Sequence, residues 1–287
     1  MSNLLQHCQT IRDVLRLQQL PLLERRMLLE SVYQKPRSWF IAHDDELLEP
    51  TIKEQLQQLF ERRLAGEPMA YILGHREFMG LSFKVTPAVL IPRPETELLV
   101  ETALSFLKKL KEQGVEKPRV LDVGTGSGII AISIKHYCPE AELIATDLSA
   151  DALQVAQENA QLLATDVKFI QSDLFDALEQ YKNSVDLIVS NPPYIDSQDE
   201  HLEQGDVRFE PTMALTDFAD GLALIRRLID EAPQFLKSTA NIPTALWMEH
   251  GWEQAEAIRT LLKQKDFHQV QSLKDLAAIE RITGGLK

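Results

Sequence analysis

The chain predicts an α/β protein: a mostly parallel seven-stranded sheet with helices on both faces, preceded by a small helical bundle and a β-hairpin. Three observations carry that expectation. After Pro118 strand-like and helix-like runs alternate, the pattern of a sheet built from crossover units. Before Gly66, apolar residues recur at three- and four-residue spacings, which is the period of amphipathic helices. Between them, "REFMGLSFKVTP" holds two short β-like runs flanking Met79-Gly80, the pattern of a hairpin.

In chain order, "LLQHCQTIRDVLRL", "PLLERRMLLESVYQ" and "EPTIKEQLQQLFERRLAG" predict helices punctuated by Pro21, Pro36 and Pro50, giving four or five in all. The signal changes at Tyr71. "IPRPETELLVETALSFLKKL" then predicts an amphipathic helix opened by prolines, which Glu95 or Thr96 can cap. The strands read as "RVLDVG", "AELIATD", "VKFIQSD", "VDLIVSN", "TALWMEH", "FHQVQSL" and "AIERIT", and the intervening helices as "SGIIAISIKHYC", "SADALQVAQENAQLL", "GLALIRRLIDEAPQFL" and "WEQAEAIRTLLKQK". The expected domains are a helical one over 1–70, a hairpin linker over 71–92 and a catalytic domain over 93–287. The helical region carries no glycine-rich loop or catalytic cluster and is expected to recognise a partner.

Charge and composition narrow the function. The net charge is −13. Residues 1–92 hold 11 basic and 11 acidic side chains, so the whole excess falls on the region after them. A protein that grips nucleic acid by its phosphates normally shows a basic face, so a protein or small-molecule partner is expected and nucleic acid is not. Cys8 and Cys138 have neither zinc-site nor CxxC spacing, which suits a reducing, cytoplasmic location. No apolar run reaches the roughly 18 residues of a membrane span. His7, Arg12, Asp13 and Arg16 interrupt the N-terminal apolar residues, as in an amphipathic helix rather than an export signal. A monomer is expected. No metal is expected either, because His201 and Glu203 at i, i+2 lack a third ligand.

"DVGTGSG", Asp122 to Gly128, joins the first strand of the sheet to its helix. Glycines let the backbone approach a ligand closely. Ile129 stands where a dinucleotide fingerprint would need glycine, and no Lys-Ser/Thr pair follows as a phosphate loop requires. Asp147 ends the second strand about twenty residues later, where a carboxylate can accept from both ribose hydroxyls. Asp173 ends the third strand, followed by Leu174. Three acidic residues at successive strand ends point to a nucleoside-bearing ligand.

"SNPPYI", residues 190–195, ends the fourth strand, since proline cannot donate to a sheet ladder. The Asn191 side-chain oxygen and the Pro192 carbonyl offer two acceptors, fixed prolines keep them aimed, and Tyr194 offers a ring. Such a site can orient a planar nitrogen, whose delocalised lone pair is a poor nucleophile, and favour its developing positive charge. Adenine, cytosine or guanine amines and glutamine all remain open from these residues alone.

The glycine motif resembles motif I of class I S-adenosylmethionine-dependent methyltransferases, and NPPY resembles the [DNS]PP[YFW] motif of those acting on planar nitrogens. The segment "EPMAYILGHREFMGLSFKVTPAVLIPRPETELLVE", Glu67 to Glu101, with "FEPTMAL" (Phe209 to Leu215) and "MEHGWEQ" (Met248 to Gln254), resembles the PrmC/HemK family. That family methylates the glutamine amide in the GGQ motif of peptide chain release factors. The resemblance implies the class I methyltransferase fold and S-adenosylmethionine as cofactor. It implies cofactor contacts at Gly124, Thr125, Gly126, Ser127, Gly128, Asp147, Asp173, Leu174 and Asn191. Catalytic roles would fall on Asn191, Pro192 and Tyr194, and substrate contacts on Asn191, Pro192, Pro193 and Tyr194. Leu174 departs from the family, where an aromatic is common. The alternative activity is methylation of an exocyclic amine of a nucleic acid at the same NPPY site.

Overall fold

The structure, a computed structural model, describes residues 4–239 and 242–287. The first three positions of the predicted helical region lie outside the described residues. The chain divides at Gly74/His75 into two compact units.

The first unit contains five helices among the described residues: α1 Ile11–Arg16, α2 Leu22–Tyr33, α3 Arg37–Ala42, α4 Pro50–Leu64 and α5 Met69–Leu73. Thr10 and Asp13 form a reciprocal capping box on α1, which satisfies two otherwise free amides of a helix only six residues long. Pro50 opens α4, where its missing N–H costs nothing. Ile11, Leu28, Leu29, Leu56 and Phe60 are fully buried in the core of this unit. Arg63 pairs with Glu24 at 2.9 Å, linking α4 to α2. Helix α5 runs to Leu73, two residues past the change of pattern expected at Tyr71, and Gly74 ends it in a left-handed conformation.

The hairpin groups with the second unit rather than forming a separate linker. Strands β1 (His75–Phe78) and β2 (Leu81–Lys84) pair antiparallel across Met79-Gly80. A short 3-10 turn, Pro94–Thr96, leads into α6 (Glu97–Glu112). The Met79 amide donates to Glu97 Oε1 at 2.7 Å, which ties the hairpin to that helix.

The sheet then forms from β3 (Arg119–Val123), α7 (Ile129–Tyr137), β4 (Glu142–Asp147), α8 (Ala150–Leu162), β5 (Val167–Gln171), β6 (Leu187–Ser190), α9 (Ala223–Glu231), β7 (Ala245–Glu249), α10 (Ala255–Gln264), β8 (His268–Lys274) and β9 (Glu280–Leu286). Its strand order is β5-β4-β3-β6-β7-β9-β8. The first five are mutually parallel, and β9 runs antiparallel to both β7 and β8. Strands β6 and β7 are buried along their whole length, as expected for parallel strands covered on both faces. Helix α9 ends at Glu231, five residues before the predicted end, and a 3-10 turn containing Pro233 follows. Proline cannot supply the amide that a continuing helix needs.

Two details place the site. The chain leaves β3 toward β4 on one side and β6 toward β7 on the other, so the strand order reverses between adjacent β3 and β6. Ligands of such sheets bind outside the carboxyl ends at that reversal. The glycine loop follows β3 and NPPY follows β6.

Candidate active site

A cavity of about 290 Å³ opens at the carboxyl ends of β3 to β6. A larger groove of about 550 Å³ runs between α6 and the β8–β9 edge. The groove contains neither the glycine loop nor NPPY, so chemistry rather than volume marks the smaller cavity as the site.

On one side the loop is tied down locally. The amides of Gly124 and Thr125 both donate to the Thr146 carbonyl, at 2.9 and 2.8 Å. Buried Asp122 accepts from the Thr125 hydroxyl at 2.6 Å and the Ala131 amide at 3.2 Å. Burial outweighs those bonds and pushes its carboxyl up to about 7. Asp147 accepts from the Gly126 amide at 2.8 Å and the Ser149 amide at 2.9 Å. Its first role is thus to fasten the glycine loop to the end of β4. Burial also raises the Asp147 carboxyl above its ordinary range.

Gly124, Thr125, Gly126, Ser127, Asp147, Asp173, Leu174, Asn191, Pro192 and Pro193 all line the cavity. Gly128 does not. It caps α7 with φ +84°, and a Cβ there would lie 2.7 Å from Ile132 Cδ1 and 3.1 Å from Ala156 Cβ. That glycine serves the packing of α7 against α8, which is why a loop-contact role read from the motif does not reach it. Tyr194 also lies outside the lining. Its hydroxyl donates to Glu249 Oε1 at 3.2 Å, so the ring expected to face a substrate is turned toward β7. Burial, reinforced by Glu249, raises its pKa.

The other side is held from a distance. Asn191 Nδ2 donates to Thr96 Oγ1 at 3.2 Å, and Ser190 Oγ donates to the Val123 carbonyl at 2.7 Å. Gln254 Nε2 donates to the carbonyls of Tyr194 and Gly221 at 3.0 and 3.1 Å. Glu210, from the connection after NPPY, pairs with Arg93 and accepts the Ile91 amide at 2.9 Å. The "IPRPETE" and "FEPTMAL" segments therefore close on each other at the rim.

These residues fit S-adenosylmethionine. Nothing lies within 4 Å of a Cβ built on Gly124 or Gly126, so the loop leaves open space beside the ligand. Both basic side chains of the lining are engaged: Arg93 with Glu210 and Arg227 with Asp173. A nucleotide's phosphates would find no spare cation, whereas a cationic sulfonium meets the acidic end of β4 at Asp147. Val123, Ile129, Ile130 and Leu174 supply apolar wall. No group of three or more His, Cys, Asp or Glu that could hold a metal occurs among the described residues.

Comparison with known proteins agrees with this arrangement. Residues 8–74 match the PrmC N-terminal domain and residues 98–208 the methyltransferase small domain. A release factor glutamine methyltransferase from Bordetella pertussis is 54% identical across 96% of this chain and 98% of its own length. One from Escherichia coli K12 is 43% identical across 92% of both. The chain belongs to the release factor glutamine methyltransferase family. A T. thermophilus 16S rRNA methyltransferase solved with AdoMet and guanosine shares the fold, with a TM-score of 0.53, 20% identity, 74% of this chain covered and 49% of the other. A methyltransferase from Pyrococcus furiosus does likewise, at TM-score 0.51 and 16% identity, over 80% of this chain and 98% of the other. The class I fold, the enzyme class and S-adenosylmethionine as methyl donor are those of the family.

One residue that braces the site escaped the motif reading. Asn159, fully buried in α8, accepts the Lys84 amide at 2.7 Å and donates to the Lys84 and Ser127 carbonyls. It joins the hairpin to the glycine loop; an amide on the apolar face of a helix is the only sequence signal. His250 is wholly buried between the Gly251 carbonyl and the Thr283 hydroxyl, and its role is structural.

Proposed function

We propose that this protein transfers the methyl group of S-adenosylmethionine to the side-chain amide nitrogen of the glutamine in the GGQ motif of peptide chain release factors. The observation that carries the reading is the pair of acceptors at the end of β6. Asn191 Oδ1 and the Pro192 carbonyl make no hydrogen bond among the described residues, and both residues line the cavity. When bound, the cofactor supplies an electrophilic methyl on sulfonium. Asn191 and Pro192 then accept the two N–H groups of the glutamine amide and orient its nitrogen toward that methyl. They also favour the charge that develops on nitrogen as the bond forms. Gly124, Gly126, Asp147 and the Leu174 wall position the cofactor.

No helix among the described residues is long and apolar enough to cross a membrane. The N-terminal helical region takes the recognition role, and the enzyme works as a cytoplasmic monomer without nucleic acid. The acidic balance of residues 93–287 supports a protein rather than a nucleic-acid partner. The test is incubation with release factor and methyl-labelled cofactor, comparing the native GGQ with a Gln→Ala form. Label enters the native form alone; equal labelling of both sinks the reading.

A further inference from the structure

The cofactor cavity runs past the ends of β6, β3, β4 and β5 in that order. A methyl group directed at Asn191 beyond β6, with the ribose at Asp147 on β4, leaves the adenine base toward Asp173 and Leu174 beyond β5. Phe218 is the one aromatic side chain of this cavity's lining among the described residues. It lies between Thr216, which bridges to Ile195 just after NPPY, and the start of α9 at Ala223. This connection is firmly held. Asp217 accepts the amides of Ala219, Gly221 and Ala223 at 2.9, 3.0 and 2.7 Å, and the buried Thr216 hydroxyl accepts the Phe218 amide at 3.1 Å. Arg227 of α9 pairs with Asp173 at 3.1 Å, so the helix that anchors the loop is itself tied to the end of β5. The ring gains little from the fold. It is 67% exposed, and its backbone holds φ +59°, a region that bulky side chains rarely adopt. An exposed phenylalanine kept in that conformation by a fixed loop points to a ligand contact.

We propose that Phe218 supplies the aromatic face on which the adenine base of S-adenosylmethionine stacks. The base has a π-face, and the neighbouring Leu148, Leu174 and Leu224 of the lining offer only aliphatic surface. An aromatic ring removes that face from water and adds the electrostatic match of two offset rings. Because Asp217 fixes the loop beforehand, little ordering is left to oppose binding. An exposed ring could also meet the protein substrate. The course of the loop, away from Ile195 and toward the helix tied to Asp173, favours the base. The inference rests on the cavity being the cofactor's and is independent of which nitrogen receives the methyl group.

The experiment titrates the full chain calorimetrically with S-adenosylmethionine, S-adenosylhomocysteine and adenosine, for the native protein, Phe218→Gly, Phe218→Trp and Asp147→Ala. Unfolding midpoints and the KM for release factor are measured beside them. Phe218→Gly removes the ring and suits the left-handed φ, so the unfolding midpoint holds or rises. It weakens all three ligands by about tenfold or more, the scale of one lost base–aromatic stack. Adenosine carries the base without the sulfonium, so a parallel loss for adenosine assigns the contact to the base. Phe218→Trp keeps affinity within about threefold of the native value, and adenosine quenches the emission of the new indole. Cofactor affinity in Phe218→Gly within about twofold of native, beside a weakened Asp147→Ala, overturns the inference and leaves the cavity as the cofactor site. A raised KM for release factor in that case assigns the ring to the protein substrate. A loss confined to S-adenosylmethionine and absent for adenosine overturns it as well. Unchanged affinity in both Phe218→Gly and Asp147→Ala removes the cofactor from this cavity, and the inference with it.

Discussion

The glycine loop and the NPPY turn face one cavity but are held in unlike ways. Around the loop, Asp122 bonds to groups three and nine residues away and Asp147 to one 21 residues away. Most of these bonds go to backbone amides, and neighbouring parallel strands supply them. At NPPY, Asn191 and Tyr194 are held by side chains 95 and 55 residues distant, and Gln254 reaches the Tyr194 carbonyl from 60 residues away. A nucleoside site can be built from local backbone because its ligand needs only close approach and a few fixed acceptors. An acceptor that must face one nitrogen in one orientation needs side chains converging from several elements.

The contrast can be broken, and the largest effect tests the distant half. Asn191→Ala lowers kcat by about 10²–10³, the scale of losing one preorganised electrostatic partner of a transition state, with the fold retained. Cofactor affinity that fell in parallel would mean the two halves are not separable. The converse change, Asp147→Ala, removes two charge-assisted ties of the glycine loop and weakens cofactor binding by about 10- to 100-fold. Isothermal titration checks it, and the effect should fall on cofactor affinity before kcat at saturation.

A smaller effect separates packing from contact. Gly128→Ala, at φ +84° and against Ile132 and Ala156, destabilises the catalytic unit by about 1–3 kcal/mol in denaturant unfolding. If the glycine were instead a ligand contact, cofactor affinity would fall with stability intact.

The smallest is a pH effect. Asp122 and Glu249 are both raised by burial to about 7. A carboxyl whose pKa rises on folding binds its proton more tightly in the folded chain. Its contribution to stability is present at low pH and is lost as pH rises from the unfolded value toward 7. Unfolding midpoints should therefore decline between about pH 4 and 7, and Asp122→Asn should decline less steeply. An unchanged slope in Asp122→Asn would place the titration elsewhere.

Legibility in the sequence followed the same division. Alternation after Pro118 predicted all seven strands of the sheet, because buried parallel strands and amphipathic helices carry their periods in consecutive residues. The cavity lining drew nearly every residue of the glycine motif, together with Asp147, Asp173, Leu174 and the first three residues of NPPY. Gly128 and Tyr194 were assigned by their place in a motif, yet a motif does not say which way a residue packs. Thr96 read as a helix cap, since its position after "PRPE" offers that local partner. Glu249 carried only the signal of an acid at the end of an apolar strand.

The sequence by itself determined the class of fold, the chemistry of the cofactor loop and the presence of two acceptors after β6. Periodicity, proline and glycine act on their immediate neighbours, so their consequences are written nearby. Tertiary structure decided that Thr96 receives the Asn191 amide, that Tyr194 turns toward Glu249, and that Glu210 closes on Arg93. Each depends on side chains brought together by the order of strands in the sheet, and the distance between them along the chain carries no trace of that meeting.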